Sequence, residues 1–155
     1  MAELRLIVRI ANKDLNGKST IQKGLMELKG IDHRMGKMIA KAFEKETGIK
    51  WNSKIGEITE DKDKKLEEIV FHPEKFSIPL WALNKQKEYN TGENKHLIMS
   101  ELDFDQRNTQ QRLSKIKSYR GLRRSWGLTV RGQKTKSTHR GKGPVVGVLK
   151  KDAKK

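Results

Sequence analysis

Ser19-Thr20-Ile21-Gln22-Lys23-Gly24-Leu25-Met26-Glu27-Leu28-Lys29-Gly30-Ile31-Asp32-His33-Arg34-Met35-Gly36-Lys37-Met38-Ile39-Ala40-Lys41-Ala42-Phe43-Glu44-Lys45-Glu46-Thr47-Gly48-Ile49 reads as two helices, each closed by Gly-Ile. Ser19, with Gln22 three residues on, predicts a capping box at the first start. Ile21, Leu25 and Leu28 recur at helical spacing, and Gly30-Ile31 predicts a Schellman ending. Asp32 predicts the next cap, Met35, Ile39, Ala42 and Phe43 share one face, and Gly48-Ile49 predicts the same kind of stop. With almost no linker between them the helices must turn sharply and pack, which gives a helix–turn–helix-like module over about 19–50. Gly36 costs about 1 kcal/mol against Ala inside a helix. It reads as a place where a sugar–phosphate chain could approach the backbone. Gly17-Lys18-Ser19-Thr20 resembles the end of a phosphate loop, but Asn12 stands where that motif requires Gly, so the capping reading is preferred.

Outward from this module, the β-branched run Leu4–Ile10 predicts a strand, and Asn12–Gly17 a turn-rich linker. Thr59-Glu60-Asp61 opens a third helix with Leu66, Ile69 and Val70 inward and Lys62, Lys64 and Lys65 on a solvated face. Pro73 and Pro79 break the rhythm. Trp81 and Leu83 read as apolar anchors, and Asn90-Thr91-Gly92 as a turn before the strand-like His96–Met99, which predicts a short β-hairpin insertion over about 71–102. A helix over about 105–119 carries Leu113, Ile116 and Tyr119 inward and Arg112, Lys115 and Lys117 outward. The expected fold is mainly α: a helical domain over 1–118 and an extended basic tail over 119–155.

Charge supports the division. Residues 1–105 hold 19 Lys/Arg and 18 Asp/Glu, whereas 106–155 hold 16 Lys/Arg against one acid, Asp152. So charged a segment repels itself in water, and lying along phosphates relieves that repulsion by releasing counterions. With 34% of residues hydrophobic and 35% charged, only a modest core in the first hundred residues is expected. The absence of cysteine excludes disulfides, thiolate zinc sites and a cysteine nucleophile, and suits a reducing cytosol. Met1-Ala2-Glu3 opens no signal peptide, no apolar run is long enough for a membrane span, and the tail lacks an apolar helical face for a membrane surface. His33, His72, His96 and His139 are scattered without metal-ligand spacing and read as surface or supporting residues. No nucleophile elbow is present, so no enzyme, cofactor, metal or small-molecule substrate is expected.

The densest chemistry is Tyr119-Arg120-Gly121-Leu122-Arg123-Arg124-Ser125-Trp126-Gly127-Leu128-Thr129-Val130-Arg131-Gly132-Gln133-Lys134-Thr135-Lys136. Arginine forks match phosphate oxygens, glycine admits close backbone approach, and hydroxyls donate to a nucleic-acid backbone. Tyr119 and Trp126 read as anchors rather than stacking platforms. Arg120, Arg123, Arg124, Arg131 and Arg140 have no interleaved acid and therefore read as phosphate ligands. The candidate binding set is Arg112, Lys115, Lys117, Arg120, Gly121, Arg123, Arg124, Arg131, Gly132, Gln133, Lys134, Thr135, Lys136, Arg140 and Lys142.

The 119–136 stretch closely resembles the signature of the small-subunit ribosomal protein S thirteen family. Arg9-Ile10-Ala11 and Leu28-Lys29-Gly30-Ile31 are similar to its N-terminal strand and interhelical turn. Ile78-Pro79-Leu80-Trp81-Ala82-Leu83-Asn84-Lys85-Gln86-Lys87 and the run from Lys136 through Gly143 to Val148 resemble its archaeal and eukaryotic branch, which suggests an archaeal source. The chain departs from the pattern at Asp32, where Gly is usual, and at Arg124, where His is frequent. The resemblance implies a helix–two-turn–helix module and a structural, cytoplasmic role in the head of the small ribosomal subunit. It further implies contact with ribosomal RNA, with the small-subunit protein S nineteen, and with the large subunit through its protein L five and an RNA helix. Lys150, Lys151, Lys154 and Lys155 would then lie nearest transfer RNA in the peptidyl site. Two rival readings are a helix–two-turn–helix DNA glycosylase, which would need an N-terminal proline and a four-cysteine zinc finger, and a chromatin-like duplex-DNA-binding protein.

Overall fold

The computed structural model describes residues 4–135; the expectations placed on Lys136, Arg140, Lys142, Lys150, Lys151, Lys154 and Lys155 lie outside them. The fold is mainly α. A two-stranded hairpin, β1 (Ile7–Ile10) and β2 (Lys13–Asn16), precedes α1 (Ile21–Leu25), α2 (His33–Thr47), α3 (Glu60–Phe71), α4 (Met99–Lys115) and α5 (Tyr119–Ser125). The chain divides into two compact units between Thr109 and Gln110, a boundary that falls within α4.

Within residues 12–17, expected as a linker, 13–16 form the second strand instead. Val8 pairs with Leu15 and Ile10 with Lys13, so Val8, Ile10 and Leu15 all face the core. The connecting Ala11 and Asn12 both have positive φ, 49° and 61°, the sense of a type I′ turn whose twist matches the strands. Alanine in the first position hides this turn from a sequence reading, which looks there for Asn, Asp or Gly. The Ala11 amide donates to Glu67 Oε1 at 3.0 Å and Arg5 pairs with Asp63 at 2.7 Å, fastening both ends of the hairpin to α3. The Asp63 carboxylate holds the Arg5 guanidinium charged still more firmly than usual.

The two-helix module forms, with its first start shifted. Thr20, not Ser19, caps α1, its hydroxyl accepting from the Lys23 amide at 3.4 Å. Ser19 lies one residue too early, because the helix begins only at Ile21: Thr20 is extended and bridges to Lys54, the Ser19 carbonyl accepts from the Ile55 amide, and the Ile21 amide donates to the Ser53 carbonyl. α1 ends at Leu25, and tighter turns carry the chain to Gly30 at φ +107°, where a Cβ would lie 2.7 Å from the Leu97 carbonyl oxygen. Asp32 caps α2 as expected, accepting from the His33 amide at 2.8 Å. Gly48 at φ +73° ends α2 through one bond from its amide to the Glu44 carbonyl, an αL ending rather than a Schellman motif. Met35, Ile39, Ala42 and Phe43 are buried against Ile21, Leu25 and the α3 residues Leu66, Ile69 and Val70 in one core. Gly36 serves this packing: a Cβ there would stand 3.1 Å from the Gln22 carbonyl, so what approaches its backbone is α1, not a sugar–phosphate chain.

Over 71–102 the expected hairpin is reduced to a single antiparallel bridge between Lys85 and Lys95, with Gly92 at φ +72° in the turn. The Glu88 carboxyl, hydrogen-bonded by Lys95 and Thr91, is held below the usual carboxylate range. His96–Ile98 is not a strand. The Asn84 side chain substitutes for a neighbouring strand there, accepting from the Leu97 amide at 2.8 Å and donating to its carbonyl at 2.6 Å. Leu83 is buried as expected, whereas Trp81 is 60% exposed, with the Arg34 guanidinium 5.2 Å above its ring. α4 begins at Met99, six residues before the expected start, and its first turns are fastened by Lys29–Asp103 and by Lys85–Asp105 at 2.7 Å.

Candidate nucleic-acid interface

Residues 110–135 carry eight Lys/Arg and no carboxylate. α4 ends at Lys115, where the Lys117 amide donates to Ser114 and the Ser118 amide to Leu113, the paired bonds of a Schellman motif. Lys117 itself occupies the position usually taken by Gly, at φ +53°. Left-handed backbone costs a non-glycine residue about 1–2 kcal/mol, so a cation is kept where local stability favours glycine. Ser118 joins the two helices: its hydroxyl donates to the Leu113 carbonyl at 3.0 Å and accepts from the Gly121 amide at 3.1 Å, capping α5.

Gly121 was expected to admit RNA, but its place is taken by the chain itself. A Cβ there would lie 2.4 Å from Leu113 O and 2.6 Å from Leu113 C, both backbone atoms. Gly121→Ala therefore disrupts the α4–α5 corner, and the far-ultraviolet signal of the seven-residue α5 is expected to fall together with RNA affinity. Retention of both would refute this steric role.

α5 ends in a second Schellman motif: Gly127, at φ +68°, donates to Arg124, and Leu128 donates to Arg123. Helical spacing of three and four residues brings Arg120, Arg123 and Arg124 to one side. Their environments differ. Arg120 and Arg124 are exposed, while Arg123 is half-buried and its Nε donates to the Thr129 carbonyl at 3.0 Å, holding the turn that follows α5. Arg131, Gly132, Gln133, Lys134 and Thr135 are exposed, with Gly132 at φ +70°. Lys115 and Lys117 are exposed and Arg112 is half-buried.

Three inward assignments are corrected. Ile116 is 65% exposed, Tyr119 71% and Trp126 64%, because the chain turns at 116–118 instead of continuing a single helix to 119. Both aromatic rings thus stand open among the cations, the arrangement in which rings stack on bases. The tail is also not extended from its first residue, since 119–125 is helical.

In the first unit, His96 is the residue whose burial was missed. It is 6% exposed and neither ring nitrogen has a hydrogen-bond partner among the described residues. Burial pushes its pKa below the usual histidine value, partly opposed by the Glu74 carboxylate. A depressed folded pKa means that the unfolded chain binds the proton first. Stability is therefore full above about pH 6.5 and falls as acidification proceeds below it. Urea denaturation of the whole chain should show this acid slope, and His96→Phe should flatten it. An unchanged slope would exclude His96 as its source. No group of metal-ligating side chains occurs among the described residues, and no helix there is long and apolar enough to cross a membrane.

A small helical body followed by a segment, 110–135, that has no carboxylate and exposes arginines and aromatic rings has the layout of a nucleic-acid-binding protein. Residues 9–141 match the family model described as Ribosomal protein S13/S18. The chain is 42% identical to the small ribosomal subunit protein uS13 of Methanothermobacter thermautotrophicus over 96% of its length and 97% of that relative. It is 44% identical to the same-named protein of Methanosphaera stadtmanae, over 94% and 92% of the two chains. For that of Staphylothermus marinus the identity is 42%, over 95% and 94%. The chain belongs to this ribosomal protein family.

Proposed function

We propose that the chain holds small-subunit ribosomal RNA through Arg112, Lys115, Lys117, Arg120, Arg124, Arg131, Gln133, Lys134, Thr135, Lys136, Arg140 and Lys142, with Arg123, Gly121 and Gly132 shaping the grip. As a member of its family it is a structural constituent of the small ribosomal subunit, with ribosomal RNA as its partner. In this reading it sits in the head of the subunit beside protein S nineteen and bridges to protein L five and RNA of the large subunit. Lys150, Lys151, Lys154 and Lys155 reach toward transfer RNA in the peptidyl site. The observation that carries the reading is that Arg120, Arg124 and Arg131 are exposed in a segment with no carboxylate to neutralise them. Such cations release counterions when they meet phosphate, and exposed rings beside them add stacking.

The test is co-sedimentation with small subunits over a salt series. The protein is expected in the subunit peak at low salt and to be stripped as salt rises. Equal affinity for random duplex DNA and small-subunit RNA would overturn the reading.

A further inference from the structure

We propose that the first unit carries a second RNA site: a pocket for one unstacked base, formed by Trp81, Met35, Met38 and His96 and flanked by phosphate-binding cations on α2. The proposal rests on the reading that the chain binds small-subunit RNA, but makes no use of the arm. The cavity, about 320 Å³, opens between the start of α2 and the 79–98 loop, with Arg34 and Asn84 also on its walls.

His96 is the first observation that points to an occupant. The residue is 6% exposed and lines the cavity, and neither of its ring nitrogens has a partner among the described residues. Buried polar groups are nearly always hydrogen-bonded; both nitrogens lie behind the cavity surface, so a ligand's polar edge reaches them only when the pocket wall shifts on binding. A neutral imidazole offers one donor and one acceptor, the pairing presented by the edge of a nucleobase. Trp81 is the second. The residue is 60% exposed, Arg34 stands over one face of its ring at 5.2 Å from the centroid, and the two methionines supply polarizable apolar walls for a flat ring.

Charge decides between RNA and a protein side chain. Arg34, Lys37 and Lys41 recur at intervals of three and four on α2, so they form one row beside the pocket. All three are exposed, and none pairs with a carboxylate among the described residues. Arg34 and Lys37 lie instead over Trp81 and Trp51. A row of unneutralised cations beside a base-sized pocket fits a nucleotide with its flanking phosphates. Asp32, on the wall of the same cavity, can accept from a base N–H.

The experiment titrates the full chain against the small-subunit ribosomal RNA of its source at several salt concentrations. Trp81→Ala, an exposed truncation that leaves the core intact, is expected to weaken binding by about 5- to 150-fold, the usual loss of one stacked base. Its slope of log affinity against log salt should be unchanged, because no phosphate contact is lost. Lys37→Gln/Lys41→Gln should instead lower the slope by about two. Benzoylphenylalanine introduced in place of Trp81 and carried into small subunits should cross-link to a ribosomal RNA nucleotide. Cross-linking to a protein chain, no cross-link, or parental affinity of Trp81→Ala would each overturn the proposal. If the parent fails to bind the RNA at all, the earlier reading falls. If the parent binds and only Trp81→Ala is silent, the pocket alone falls.

Discussion

Replacing Arg120, Arg124, Arg131 and Lys134 together by glutamine is expected to lower affinity for small-subunit RNA by about 10³-fold near 100 mM salt, and the salt slope by about three to four. The magnitude follows from counterion release, which contributes about 0.7–0.9 per phosphate contact to the slope of log affinity against log salt. All four side chains are exposed, so their loss leaves the fold standing and the unchanged far-ultraviolet spectrum serves as the control. Arg123 is excluded because its bond to the Thr129 carbonyl would mix a change of fold with a change of charge. A variant with the parent's slope would show that the arm does not carry the binding.

The largest loss of stability is expected from Gly17→Ala. An added Cβ would lie 1.8 Å from the Arg5 carbonyl oxygen and 2.9 Å from its carbon, within a knot of backbone bonds. There the Arg5 amide donates to Gly56 at 3.1 Å, Gly56 to Gly17 at 3.0 Å, and Gly17 to Leu6 at 2.8 Å. Gly56 faces the same carbonyl, with a would-be Cβ 2.2 Å away, so neither side can yield. The cost should exceed the roughly 1–3 kcal/mol typical of overpacking. For a unit of this size that is a melting-temperature loss of about 10 °C or more. Gly48→Ala is the contrast, since nothing lies within 4 Å of that site and only its positive φ opposes the change. Equal melting temperatures for the parent and Gly17→Ala would refute the packing account.

Much of this was legible before any coordinates. The α2 boundaries follow from Asp32 and Gly48, and the start of α3 from the acidic first turn Glu60, Asp61 and Asp63, each acting within one turn of itself, while Thr59 stands at the cap position without a side-chain bond. The basic arm is visible from composition, because a segment with 16 Lys/Arg and a single acid cannot neutralise itself whatever its shape. What was misread depends on partners distant in the chain. Ser19 lost its cap to the 53–55 segment, and the hairpin at 71–102 was replaced by the Asn84 side chain serving as a one-residue strand. Gly17 resembled part of a phosphate loop and proved to be a packing position against Arg5.

The amino-acid order by itself determined where helices start and stop, which face of each is apolar, and where the positive charge collects, because caps, periodicity and net charge are local or additive properties. Only the tertiary structure decided which glycines are filled by neighbouring backbone, that Tyr119 and Trp126 face solvent, and that His96 is enclosed beside Trp81 without a partner. Those outcomes depend on excluded volume and desolvation between segments tens of residues apart, and neither exists until the chain has folded.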